Sequence, residues 1–190
     1  MQLTEIRIAG FGGQGVILAA TVIGKAACIF DGWYATMTQS FGPEARGGVC
    51  SAQVILSDRP ILYPYVTRPD VLVVMSQEAH TRFSPELKEG SVLIVEQDLV
   101  RGAELQRGLR LFSVPATRLA GELGNRVVLN TVMVGFFGAI TSLLDLESLR
   151  KAIADSVPAS LLELNLRAFN KGFEYDMSAV PAVTESMVAS

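Results

Sequence analysis

Histidine, cysteine and surplus positive charge are all scarce in this chain: 190 residues carry one histidine, two cysteines and a formal net charge of −3. Cys28 and Cys50 stand in no CxxC or metal-ligand spacing, so the chain cannot build an iron–sulfur cluster from its own thiols. Each sits in apolar sequence, one on an expected helix and one entering an expected strand. They read as buried free thiols in a reducing, cytoplasmic compartment. His80 has no second histidine within helical reach and reads as an ordinary surface or loop residue. The acidic balance, with arginines scattered and not interleaved with aromatics, leaves no electrostatic footprint for nucleic acid. Only 18% of the residues are charged and 49% are apolar, which excludes a disordered polyelectrolyte. Met1 to Gly10 has no basic segment leading into an apolar core, so no secretory signal is expected. The longest uncharged run, Val127 to Leu144, contains Asn130, Thr131, Thr141, Ser142, Gly135 and Gly138. It lacks an aromatic belt and basic flanks, and reads as a buried helix rather than a membrane span.

What is present is an alternation of strand-like and helix-like segments. Leu3 to Ala9 reads as a strand, GFGGQG follows at 10–15, and residues 16–30 form an apolar helix ended by Asp31 and Gly32. Trp33 to Thr38 is a second strand, Gln39 to Gly48 a loop, and Val49 to Leu56 a third strand. Turns at 57–60 and 63–64 lead to Val71 to Met75, an apolar run of the kind buried on both faces. A helix around Glu78 to Phe83, strands at Val92 to Val95 and Leu111 to Val114, and then only helices complete the order: Ala116 to Leu123, Val127 to Leu144, Glu147 to Ser156 and Ala159 to Tyr175. One domain over residues 1–177 with a frayed tail at 178–190 is expected. Strand, glycine loop, helix, strand opens a doubly wound α/β fold. The link between the second and third strands is too short for a crossover helix, so one strand should run in reverse.

Two stretches can carry chemistry. Gly10, Gly12 and Gly15 satisfy GxGxxG between a strand and a helix, where glycines admit a tight turn and let a phosphate reach exposed N–H groups. The acidic residue that a dinucleotide site wants at the end of the second strand is missing, since Trp33 to Thr38 holds neither Asp nor Glu. The same glycines could instead let helix and strand pack closely, or admit a partner chain. The second stretch, residues 38–48, gathers hydroxyls, one carboxylate, one guanidinium and several glycines at the carboxyl end of a strand. Arg46 before Gly47 and Gly48 can offer a planar fork to a phosphate or carboxylate. It can equally pair with Glu44 and brace the loop.

Taken in order, GFGGQGV at 10–16 and SFGPEARGG at 40–48 resemble the gamma subunit of 2-oxoacid:ferredoxin (acceptor) oxidoreductases. YPYVTRPDVLVVMSQEAH at 63–80 and Asn130 with the segment Thr131 to Gly135 extend the resemblance over residues 4–175. PEARGG and MSQEA look most like the 2-oxoglutarate branch, with pyruvate, branched-chain and aryl oxoacids behind it. Phe41 stands where the family more often has Tyr. The resemblance implies a Rossmann-like three-layer α/β domain with a mixed, mostly parallel sheet and a helical C-terminal part. It implies partners as well: alpha and beta type catalytic subunits and a ferredoxin-like delta chain, which carry thiamine diphosphate, Mg and 4Fe-4S clusters. The gamma domain is expected to pack over the active site and help enclose coenzyme A. The residues expected to do so are Gly10, Gly12, Gly13, Gln14, Gly15, Ser40, Gly42, Glu44, Arg46, Gly47 and Gly48. A free-standing nucleotide-binding module and a purely structural spacer are the competing readings.

Overall fold

The computed structural model describes residues 3–41, 48–103 and 108–175. A six-stranded sheet in the order β2-β3-β1-β4-β5-β6 forms its middle layer. β1 (Thr4–Phe11) lies at the centre, parallel to β4 (Val71–Val74) and antiparallel to β3 (Val49–Ser57). β3 also runs antiparallel to β2 (Tyr34–Phe41), while β5 (Val92–Glu96) and β6 (Arg110–Val114) continue in parallel beyond β4. The one reversed strand is therefore β3, as the short β2–β3 link demands. Reversal of β3 leaves the carboxyl ends of the other five strands on one edge of the sheet.

The two faces are covered unequally. Ile6, Ile8, Val54, Val73 and Ile94 point to the face packed by α1 (Val16–Lys25), α3 (Ala116–Glu122), α4 (Leu129–Thr141), α5 (Leu146–Ala154) and α6 (Leu162–Phe173). Ala9, Leu72, Val74 and Leu93 point the other way, onto α2 (Gln77–Phe83) and Val100. Strand alternation decides this division, since successive side chains leave opposite faces. Arg7 fills part of the thinner side: only 5% exposed, it lies 4.7 Å from the Phe83 ring centre and pairs with Glu86. Burial lowers its pKa from the ordinary arginine value, and the Glu86 carboxylate opposes that shift.

α4 is buried along Leu129 to Gly138 and crosses α6 in backbone contact. A Cβ on Gly135 would overlap the Phe169 carbonyl oxygen, and one on Gly172 would overlap that of Val132. Beside this crossing the buried Thr131 hydroxyl donates to Asn165 Oδ1 at 2.7 Å, and Asn165 Nδ2 donates to the Leu161 carbonyl at 2.9 Å. The charge-free stretch is thus a core helix, though shorter than its composition suggests. It starts with a 3-10 turn at Arg126–Val128 and ends where Ser142 turns left-handed at φ 48°. Val127 lies 73% exposed, outside the core where a helix from that residue would have placed it.

Four expectations need correction. Gly10 lies inside β1, not in the loop after it, because pairing with β3 continues through Gly10↔Cys50 and Phe11↔Val49. Ser40 lies in β2 opposite Ser51 for the same reason: the hairpin zips further than side-chain periodicity indicates. Cys28 is exposed. A π-helical turn at Ala26–Phe30, closed by Asp31 N–H to the Ala26 carbonyl at 3.0 Å, rotates the end of α1 outward. His80 is buried on α2, whose inner face lies against β1 and β4. Cys50 is buried, and desolvation pushes its thiol pKa up.

Candidate functional site

The carboxyl edge of the sheet collects the residues that can meet a ligand. After Phe11 the chain turns sharply: Gln14 N–H donates to the Phe11 carbonyl at 3.1 Å, and Gly12 N–H donates to the Gly48 carbonyl at 3.2 Å. The second bond sets the glycine loop against the foot of the β2–β3 hairpin. The Gln14 side chain straps the crevice between β1 and β4. Its Oε1 accepts from Phe11 N–H at 2.6 Å, and its Nε2 donates to the Met75 carbonyl at 2.8 Å. That crevice is the switch point of the sheet, where the connections leave in opposite directions and α/β folds place their ligands.

The glycines of GFGGQG divide into two kinds. A Cβ on Gly10 would stand 2.5 Å from Gln14 Oε1 and 3.1 Å from Met75 Cβ. On Gly15 it would stand 2.5 Å from Asn130 Cγ, and Asn130 Nδ2 reaches the Gly15 carbonyl at 3.4 Å. These two positions are glycine because other parts of the chain press on them. Among the described residues nothing lies within 4 Å of the missing Cβ of Gly12 or Gly13, and Gly13 also holds a positive φ of 94°. Only this second pair leaves backbone open to an incoming group.

A cleft of about 290 Å³ opens beside Gly13 and Gln14. Across it stand Leu99, Thr117, Arg126 and Val127, from the segments after β5, after β6 and before α4. Glu96, fully buried at the end of β5, props the far wall: its carboxyl group accepts from Leu99 N–H at 2.6 Å and from Thr117 N–H at 2.9 Å. Arg118 pairs with Asp98 at 2.8 Å on the outer rim. A hollow of about 550 Å³ on the far side of α3 shares Thr117 and Arg126 with the cleft.

Of the residues expected at the site, Gly12, Gly13, Gln14, Gly15 and Gly48 meet at this edge, with Gly10 and Ser40 in the strands below. Gly42, Glu44, Arg46 and Gly47 lie outside the described residues, as does the side chain of Phe41. The stretch they occupy begins and ends at this edge, since β2 ends at Phe41 and Gly48 bonds to Gly12. Arg126, Thr117, Leu99 and Glu96 were not singled out by sequence reasoning. Asn125 ahead of a long apolar run is a helix-start pattern that the sequence reading did not use, and its side chain accepts from Val127 N–H at 3.0 Å. Nothing local signalled which loop that start would face. At the end of β2 no acidic side chain is present among the described residues, so the dinucleotide fingerprint remains half formed.

Comparison with known proteins agrees with this architecture. The family model described as pyruvate ferredoxin/flavodoxin oxidoreductase matches residues 5–175. The chain is 49% identical over 179 residues to the 2-oxoglutarate synthase subunit KorC of Methanothermobacter thermautotrophicus, covering 91% of this chain and 95% of that one. To the pyruvate synthase subunit PorC of the same organism it is 32% identical over 176 residues, covering 90% and 95%. Its fold is similar to that of the keto/oxoacid ferredoxin oxidoreductase gamma subunit from Geobacter sulfurreducens, with a TM-score of 0.83, 39% identity and coverage of 92% and 96%. Sheet order, glycine loop and likeness along almost the whole length converge, and the chain belongs to the pyruvate ferredoxin/flavodoxin oxidoreductase family.

Proposed function

We propose that this chain is the gamma-type subunit of a 2-oxoglutarate:ferredoxin (acceptor) oxidoreductase, and that its carboxyl edge helps bind coenzyme A and close the active site. In that reaction a 2-oxoacid loses carbon dioxide, two electrons leave to the acceptor, and the acyl group passes to the coenzyme A sulfur. The observation that carries the choice of substrate is the contrast between 49% identity to a 2-oxoglutarate synthase chain and 32% to a pyruvate synthase chain of one organism. The geometry supports the coenzyme role through Gly12 and Gly13, whose backbone is open at the switch point.

Residues of this chain do not fit the redox groups of such an enzyme. Cys28 and Cys50 lie on separate elements, one exposed and one buried, and the described residues gather no three of His, Cys, Asp and Glu around a metal position. Thiamine diphosphate with its Mg and the 4Fe-4S clusters are therefore assigned to alpha and beta type partners and a ferredoxin-like delta chain. Among the described residues no helix is long and apolar enough to cross a membrane. We place the complex in the cytoplasm, where free thiols persist. A cleft of about 290 Å³, at the lower end of small-ligand pockets, is too small to bury a whole dinucleotide.

The experiment is reconstitution of the complex with and without this chain, followed by coenzyme-A-dependent dye reduction on several 2-oxoacids. The chain alone should show no turnover, and the complete complex should prefer 2-oxoglutarate. A preference for pyruvate would move the substrate assignment, and full activity without this chain would leave it a spacer.

A further inference from the structure

Arg126 lines the cleft together with Gly13 and Gln14 of the glycine loop. Asn125 caps the 3-10 turn that carries it, and α4, which follows directly, is tied to that loop by Asn130 at the Gly15 carbonyl. Its guanidinium has no ion-pair or hydrogen-bond partner among the described residues. Three described acids of the neighbouring segments are engaged elsewhere: Asp98 pairs with Arg118, Glu122 with Lys171, and Glu96 accepts two main-chain N–H groups. Among the described residues Arg126 is thus a cation of this edge without an ion-pair partner. It lines both the cleft and the hollow behind α3. Beside it Leu99 and Val127 are 41% and 73% exposed, so apolar surface and a free guanidinium share one small opening. Such a pairing suits a planar base carrying a phosphate. A cleft of about 290 Å³ admits that end of a ligand and not the whole of coenzyme A.

We propose that Arg126 is the phosphate-recognition residue of the cleft, binding a phosphate of the nucleotide end of coenzyme A while Gly12 and Gly13 leave room for its approach. This rests on the coenzyme A reading above. Coenzyme A has two phosphate positions with the same recognition chemistry, the 3′-phosphate and the diphosphate. Dephospho-coenzyme A, which lacks the first, separates them.

The test is steady-state kinetics of the reconstituted complex with wild-type, Arg126→Gln, Arg126→Lys and Gly12→Asp chains, varying coenzyme A and dephospho-coenzyme A. Loss of a charge-assisted contact should raise KM for coenzyme A about ten- to a hundredfold in Arg126→Gln, with kcat within about twofold. Arg126→Lys should recover much of that loss. A rise confined to coenzyme A assigns Arg126 to the 3′-phosphate; a rise for both co-substrates assigns it to the diphosphate. An unchanged KM, or a fall in kcat alone, overturns the proposal. So does an Arg126→Gln chain that no longer co-elutes with its partners, since the arginine would then be a docking contact. If Gly12→Asp raises KM while Arg126→Gln does not, only the role of Arg126 fails. If neither raises it, the coenzyme A reading fails as well.

Discussion

Two pairs of glycines in this chain answer to opposite demands. At the crossing of α4 and α6, Gly135 and Gly172 are pressed against carbonyl oxygens of the facing helix. In the loop after β1, a Cβ on Gly12 or Gly13 would meet no atom of the described residues within 4 Å. Backbone contact leaves no side chain to move aside, so a methyl group at the crossing must push whole helices apart. Empty space around a loop backbone has no such explanation in packing, which makes it the place to look for a ligand or a partner. The same residue type marks core architecture in one region and access in the other.

Substitutions can break or sharpen that contrast. Gly135→Ala should destabilise the chain by about 3 kcal/mol or more, since the clash is with backbone. For a chain of this size that lowers the melting temperature by roughly 6–12 °C. A Gly135→Ala chain melting with wild type would erase the distinction. Glu96→Ala comes next: it leaves the N–H groups of Leu99 and Thr117 without their buried acceptor, a loss of about 2–3 kcal/mol. The urea midpoint should fall at an unchanged slope, and Glu96→Gln should recover part of the difference. Gly12→Ala should be nearly silent, within about 0.5 kcal/mol, because its new Cβ meets no atom of the described residues. Gly12→Asp should be equally stable yet raise KM for coenzyme A about tenfold, through a carboxylate facing a phosphate. A thermal melt beside the kinetic assay tests both halves of that statement.

The smallest effect concerns the two thiols. Cys28 should react quickly with an alkylating reagent and Cys50 only as the chain opens, which mass spectrometry of a time course will show. Burial raises the Cys50 thiol above its ordinary value, so the folded chain holds that proton more tightly than the unfolded chain. The resulting stability is intact below the ordinary thiol range and is lost as pH rises through it toward the folded value. Denaturant midpoints should therefore fall slightly in alkali, and Cys50→Ala should flatten that fall.

Most of the fold was legible in the sequence. Val71 to Met75 and Val92 to Val95 are apolar without interruption and short, the pattern of strands buried on both faces. That one strand runs in reverse followed from a link too short to cross the sheet, and the pairing with β1 shows it to be β3. Misreadings arose where one extra interaction overrode a local pattern. Hairpin pairing carried Gly10 and Ser40 into strands, a π-helical turn rotated Cys28 to the surface, and the packing of α2 enclosed His80. The candidate site was half legible. GFGGQG was visible as a motif, yet two of its glycines prove to serve packing against Gln14, Met75 and Asn130.

The order and type of the elements, the antiparallel pairing of β2 with β3 and a glycine turn before α1 were determined by the sequence itself, because periodicity, turn residues and link length act within a few neighbours. Which glycine stays open, and which cation faces it, were decided by the tertiary structure. Arg126 shares a cleft with Gly13 because α4, buried against α6 and tied by Asn130 to Gly15, brings its own start to the carboxyl edge of the sheet. No local pattern encodes that meeting, since it depends on two helices crossing at bare backbone far along the chain.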